Sequence, residues 1–226
     1  MSDHLTDSTI LVVGGRRGIG ADLARRAEQA GARVVVAARS GADLRIDVTD
    51  EATIAEAAMA LGRVDHVVST ASAHHDVPVT ELEPAKIQAA LDAKILGPLL
   101  LAKHFAPLMP AGGSFLFFSG VVGWQPKPGI VVKGTSNAAL AALVTHLAVE
   151  LAPLRVNAVA PGITDSGAWD GLPAERRRAL YDGAAARSLA GRVGTLDDVS
   201  DAALWLLGAG WVTGETIHVD GGSRHR

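Results

Sequence analysis

The chain has 226 residues, 48% hydrophobic and 20% charged, with a formal net charge of −3, a balance that lets residues 1–226 bury the core of one α/β domain. Its only basic cluster is Arg176-Arg177-Arg178, which reads as a solvated helix face, so a nucleic-acid partner is excluded. With no cysteine, no metal-ligand spacing, a polar and acidic stretch from Met1 to Thr9 and no apolar run of about 20 residues, the expectation is a cytoplasmic protein without disulfides, a metal centre, a secretory signal or a membrane span.

Ile10-Leu11-Val12-Val13 is an apolar, mostly branched run that predicts a buried parallel strand. It leads into Gly14-Gly15-Arg16-Arg17-Gly18-Ile19-Gly20, glycines spaced G-x-x-x-G-x-G, and then into a helix-forming run from Ala21 to Ala30 closed by Gly31. Glycine is needed where the chain turns sharply and where backbone must approach a pyrophosphate, because a Cβ there would collide with the ligand or the next strand. The helix that follows turns free N–H groups and its positive dipole end toward the same point, which favours an anion.

Arg33 to Ala38 is a second strand. In dinucleotide-binding folds an acid at its end accepts hydrogen bonds from the adenosine ribose; here Ala38 stands near that position, followed by Arg39 and Ser40. An acid would repel a 2′-phosphate, whereas Arg39 and Arg17 are placed to clamp one, so the residues favour NADP(H) over NAD(H). The plainer alternative is that both arginines are ordinary surface side chains.

Leu44 to Val48 predicts a third strand, so close to Arg39 that the usual crossover helix must be abbreviated or missing. Asp47 is suited either to an adenine amino group or to capping the helix suggested by Asp50 to Leu61. Val64 to Ser69 is a fourth strand, with Ser69-Thr70-Ala71-Ser72 at its carboxyl end, where open α/β sheets bind ligands. Pro84 to Met109 is helical, with a bend expected at Gly97-Pro98. Ser114 to Phe118 is a fifth strand, followed by a Gly- and Pro-containing loop from Gly120 to Ile130. The next helix carries a packing stripe at Leu140, Leu143, Val144, Leu147 and Leu151. Arg155 to Val159 and Thr216 to Val219 complete about seven strands, and the β/α alternation implies a Rossmann-type, doubly wound parallel sheet with helices on both faces.

The series of motifs resembles the short-chain dehydrogenase/reductase family across essentially the whole chain. Beyond the glycine turn it includes Asp47-Val48, Val64-Asp65-His66-Val67-Val68, Arg155 to Gly162, Gly191-Arg192-Val193-Gly194 with Asp198-Val199, and Val212 to Gly222. By this resemblance Gly14, Arg16, Arg17, Gly18, Ile19 and Gly20 hold the pyrophosphate side, Asp47 and Val48 the adenine, and Pro161, Gly162 and Ile163 the nicotinamide amide. Thr70, Ala71 and Ser72 border the cofactor, and Ser166 sits where a family Ser or Thr contacts it. The resemblance also implies a homodimer or homotetramer built on the Pro84 to Met109 and Lys133 to Leu151 helices.

The family's usual catalytic set is absent from the matching positions. Its serine position is Gly120, one residue after Ser119; its tyrosine and lysine positions are Lys133 and Asn137; its asparagine position is Lys94. The only tyrosine, Tyr181, lies elsewhere in the motif order. Reduction of a carbonyl needs a proton as well as a hydride, and an ammonium is able to stand in for the missing phenol. Lys94 and Asn137 read as an exchange of the family's Asn and Lys, keeping a cation and an amide in one pocket. Lys133 is then the candidate acid, its pKa expected to be lowered by burial and by Lys94. His74 and His75 are alternative donors. Asp165, Trp169 and Asp170 lie where the family closes over substrate, and Trp124 and Trp169 are either a substrate wall or loop packing. Two functions follow: an NADP(H)-dependent oxidoreductase acting on a small organic C=O, C=N or activated C=C, or a redox-inactive NADP(H)-binding sensor or assembly subunit.

Overall fold

The computed structural model describes residues 4–226; Met1 to Asp3, the beginning of the polar N-terminal stretch, lie outside the described residues. The first apolar run forms β1 (Thr9–Val13), and the glycine turn leads into α1 (Gly18–Gln29). There follow β2 (Arg33–Ala38), β3 (Leu44–Arg45), α2 (Glu51–Leu61), β4 (His66–Ser69), α3 (Pro84–Leu91), α4 (Gly97–Phe105) and β5 (Ser114–Phe118). The chain continues through α5 (Val131–Glu150), β6 (Arg155–Pro161), β7 (Thr164–Asp165), α6 (Ala174–Arg187), β8 (Gly194–Thr195), α7 (Leu196–Gly208) and β9 (Thr216–Val219).

Seven parallel strands pair in the order β3-β2-β1-β4-β5-β6-β9, and β7 pairs with β8 apart from them. Strands covered on both faces must be apolar at every position, and β1 shows the two sides. Ile10 and Val12 enter the core formed with Leu23 and Ala27 of α1 and Leu206 and Leu207 of α7. Leu11 and Val13 enter the opposite core, with Ile54 of α2, Leu101 and Phe105 of α4, and Leu140 and Val144 of α5. The strand order reverses between β1 and β4, so their carboxyl ends diverge and open the crevice in which such folds bind ligands.

The third strand corrects an expectation. The third strand is not Leu44 to Val48 but the two residues of β3, which pair with only the end of β2 (Ala37 with Leu44, Ala38 with Arg45). That short register is what lets five loop residues replace a crossover helix, with Asp43 accepting a hydrogen bond from the Val36 N–H at 2.8 Å. The helix from Pro84 is interrupted directly before Gly97-Pro98 by a π turn at Asp92–Leu96, whose last bond runs from the Gly97 N–H to the Asp92 carbonyl. Pro98 has no N–H to offer the carbonyl of the preceding turn, and the widened ladder absorbs that loss.

The segment containing Arg176-Arg177-Arg178 is helical, as α6, and Arg176 and Arg178 are exposed. The helix α7 was legible in a signal that sequence reasoning passed over. Thr195 and Asp198 form a reciprocal capping box, in which the Asp198 carboxylate accepts from the Thr195 N–H at 2.8 Å.

Candidate active site

The glycine turn fills the crevice between β1 and β4 so tightly that only hydrogen fits. Gly14 and Gly18 have φ of +87° and +54°, a Cβ on Gly14 would collide with the Thr70 hydroxyl, and one on Gly20 would lie 2.5 Å from the Gly14 carbonyl oxygen. Thr70 braces the turn from beneath, its hydroxyl donating to the carbonyls of Val13 and Gly14 at 3.2 and 3.3 Å. Ahead of α1, Arg17 is the N-cap in extended conformation, with no side-chain cap and no acidic residue in the first turn. The first N–H groups of the helix are therefore open to an anion, and a cradle of this kind fits a pyrophosphate. The Ser166 carbonyl lies 3.1 Å from where a Gly18 Cβ would stand, so the chain following Pro161-Gly162-Ile163 overhangs the turn.

At the end of β2 it is Arg16 that spans from the turn, its Nη1 donating to the Ser40 carbonyl at 2.8 Å. Arg17 and Arg39 are exposed beside it. The capping role considered for Asp47 is overturned: Asp50 caps α2 by accepting from the Ala52 N–H at 3.1 Å. Asp47 instead accepts from the N–H and hydroxyl of Thr49 at 3.0 and 2.8 Å. Partial burial alone would raise its pKa, but those two bonds and the Arg39 and Arg45 charges outweigh it, and the carboxyl sits below its ordinary range. Val48 is buried beneath Gly97, where an added Cβ would come within 2.8 Å of it.

At the ends of β4 and β5 several polar side chains converge. Lys94, in the π turn, is only 7% exposed, and its Nζ donates to the Phe118 carbonyl at 2.5 Å. Burial, then the Lys133 charge, pushes its pKa down to about 8. Asn137 reaches the same strand end from α5: its side chain is buried against Gly120, its Oδ1 has no hydrogen-bond partner, and its backbone carbonyl accepts from the Ser119 hydroxyl at 2.9 Å. Lys133, at the start of α5, is not free in the pocket but forms an ion pair with Asp76 at 2.5 Å.

The loop after β4 separates the two candidate histidines. His75 is buried, and its Nε2 accepts from the Glu83 N–H at 3.0 Å, which anchors the start of α3. His74 is exposed on the cleft side, 3.4 Å from the Ser72 hydroxyl. Partial desolvation, then the Lys133 and Lys94 charges, hold its imidazole below its ordinary range against the opposing pull of Asp76. Sequence reasoning missed Asp76, although its place directly after His74-His75 put it at the same sheet edge.

Tyr181 donates to Asp165 at 2.8 Å, and desolvation followed by that bond pushes its phenol up to about 12. With Arg177 and Asp170 paired at 2.9 Å, these contacts tie the segment after β7 to α6. Among the described residues no group of three or more His, Asp or Glu side chains is gathered as a metal site, and no helix is long and apolar enough to cross a membrane.

A cradle closed to any Cβ, set at the switch point of a parallel sheet, defines a Rossmann-type dinucleotide-binding protein. A family model described as enoyl-(acyl carrier protein) reductase matches residues 13–224. The chain is 30% identical to 1-cyclohexenylcarbonyl-CoA reductase of Streptomyces collinus over 238 residues, covering 94% of this chain and 85% of that protein. It is 32% identical to cis-4-hydroxycyclohexanecarboxylate dehydrogenase of Sinomonas cyclohexanicum over 249 residues, covering 98% of each. Among solved structures, a small-chain dehydrogenase in complex with NADPH superposes with a TM-score of 0.91 at 34% identity, covering 97% of this chain and 100% of that one. The chain belongs to the short-chain dehydrogenase/reductase family of oxidoreductases, whose members bind a nicotinamide cofactor.

Proposed function

We propose that this protein is an NADP(H)-dependent oxidoreductase with a non-standard active site, transferring hydride to or from a small organic C=O, C=N or activated C=C. The observation that carries the reading is the glycine cradle, in which a Cβ on Gly14 or Gly20 would strike the neighbouring turn and α1 begins uncapped. Arg16, reaching Ser40, and the exposed Arg17 and Arg39 support the phosphorylated cofactor, since guanidinium groups make charge-assisted bonds to a 2′-phosphate. Ser40, Asp47, Val48, Thr70, Ala71, Ser72, Pro161, Gly162, Ile163 and Ser166 complete the cofactor's surroundings in this reading.

The bound nicotinamide supplies or accepts the hydride. Lys133 is the catalytic residue, donating the proton that accompanies the hydride onto the substrate, and its ion pair with Asp76 holds its Nζ in place. Lys94, Asn137 and Ser119 are positioning residues: they fasten the end of β5 and the start of α5, and Lys94 adds a positive charge behind the cleft. The Streptomyces relative's name, a reductase of 1-cyclohexenylcarbonyl-CoA, supports an activated C=C among the acceptors. Residues 1–226 act as one domain in a homodimer or homotetramer.

Titration with NADPH and NADH followed by cofactor fluorescence tests the cofactor, with NADPH expected to bind more tightly. A panel of enones, imines, ketones and alcohols, followed at the NADPH absorbance, tests the chemistry. NADPH binding without turnover across the panel would favour a sensor or assembly subunit, and no binding of either nucleotide would end the reading.

A further inference from the structure

Beyond the end of β6 lies a hollow of about 440 Å³, within the size range of small-molecule sites. Ile163 and Gly162, with Val121 and Val122 from the turn after β5, form its inner wall; the end of α6 and the chain after β9 form its outer wall. Gln125 donates to the Ser223 carbonyl and fastens the loop after β5 to the C-terminal turn.

Four cations line this hollow: Lys127, Arg187, Arg192 and Arg224. Arg192 holds Asp198 through two bonds at 2.6 and 2.8 Å, and Arg224 holds Asp220 at 2.9 Å. Those pairings occupy both carboxylates in the wall. Lys127 and Arg187 have no carboxylate partner among the described residues. Both line the one hollow, and burial first, then the Arg187 charge, holds the Lys127 ammonium below its ordinary range. Adjacent cations with no counter-ion repel, and the cost is recovered when an anion joins them. His218 adds a further open group. It lines the hollow with its Nε2 buried and unpartnered, and Trp124 packs edge-on against its ring at 4.3 Å.

We propose that this hollow receives the oxyanion of an anionic substrate, a carboxylate or a phosphate, between Lys127 and Arg187, while the reacting group of the same molecule lies toward Ile163. The assignment of the occupant as substrate rests on the hydride-transfer reading above; the anion site itself stands on the two unpaired cations.

Calorimetric titration of the full-length chain, with and without NADPH, tests it with three probes: hexanoate, inorganic phosphate and the neutral isostere hexanamide. Hexanoate or phosphate is expected to bind and hexanamide not to, and the arm that responds tells a carboxylate substrate from a phosphorylated one. A Lys127→Gln/Arg187→Gln variant should keep its circular dichroism and its NADPH affinity while binding the anion about tenfold more weakly or worse. Failure of both anions to bind, equal binding of hexanamide, or full anion affinity in the double variant overturns the proposal. Failure of NADPH to bind overturns the dinucleotide reading instead and leaves the anion result readable.

Discussion

Lys94 is a buried ammonium with one hydrogen-bond acceptor and another lysine nearby, so its charged form is disfavoured in the folded chain. The folded pKa of about 8 lies below the unfolded value near ~10.5, so between those limits the unfolded chain binds more protons and stability rises with pH. Lys94→Met is therefore expected to stabilise the protein by on the order of 2 kcal/mol at pH 7 while lowering turnover. In thermal melts the gain should fade as pH climbs from about 8 toward ~10.5, and a gain independent of pH would contradict this account. Lys133→Ala removes the proposed acid and should cut kcat/KM by about 10²-fold or more with NADPH affinity unchanged. Equal turnover in that variant would transfer the role to another group, with His74 the nearest. Gly20→Ala drives a methyl to 2.5 Å from a backbone oxygen that cannot give way; NADPH affinity should drop about tenfold or more, read by fluorescence titration.

Between elements, α1 and α7 are joined by a charged cluster as well as by apolar packing. Arg26 reaches Asp22 at 2.8 Å and Asp201 at 2.9 Å, and it also pairs with Asp197, while the Ser200 hydroxyl donates to Asp22 at 2.7 Å. Burial alone would raise the Asp22 pKa, but the Ser200 bond and then the Arg25 and Arg26 interactions outweigh it, so the folded carboxyl lies below its usual range. Its contribution is present above the unfolded pKa of about 3.9 and is lost as pH falls through the lower folded value. Arg26→Ala should destabilise the protein by about 1–2 kcal/mol at pH 7, because it leaves a mostly buried carboxylate short of partners. The difference from wild type should shrink as denaturation is followed from pH 5 down to about 2; a constant difference would assign the loss to packing. The π turn belongs to this scale too. It carries Lys94, whose ammonium donates to the Phe118 carbonyl at the end of β5.

At the scale of the whole molecule, the helices expected to pair between copies carry apolar side chains on their open faces: Leu96 and Leu99 about α4, and Val149 on α5. Sedimentation velocity should find a dimer or tetramer, and Leu99→Asp should shift it toward smaller species; a monomeric wild type would remove that expectation. The parallel sheet and the glycine cradle were legible because they depend on residues adjacent in the chain. Ile10 to Val13 must be buried on both faces, and the turn after them must lack a Cβ at Gly14 and Gly20. The positions of Lys94, Lys133 and Asn137 were legible by their order along the motifs, but their partners were not. Nothing local joins Lys133 to Asp76, 57 positions apart, or leaves Lys127 and Arg187 lining one hollow without a carboxylate while Asp198 and Asp220 go to other arginines. The sequence alone determined a phosphate-cradling turn on a parallel α/β sheet, since backbone sterics and apolar periodicity act locally. Which charges are paired, which are buried and which remain open to a ligand was decided only by tertiary structure, because electrostatic energy depends on distance and solvent access between groups that folding alone brings together.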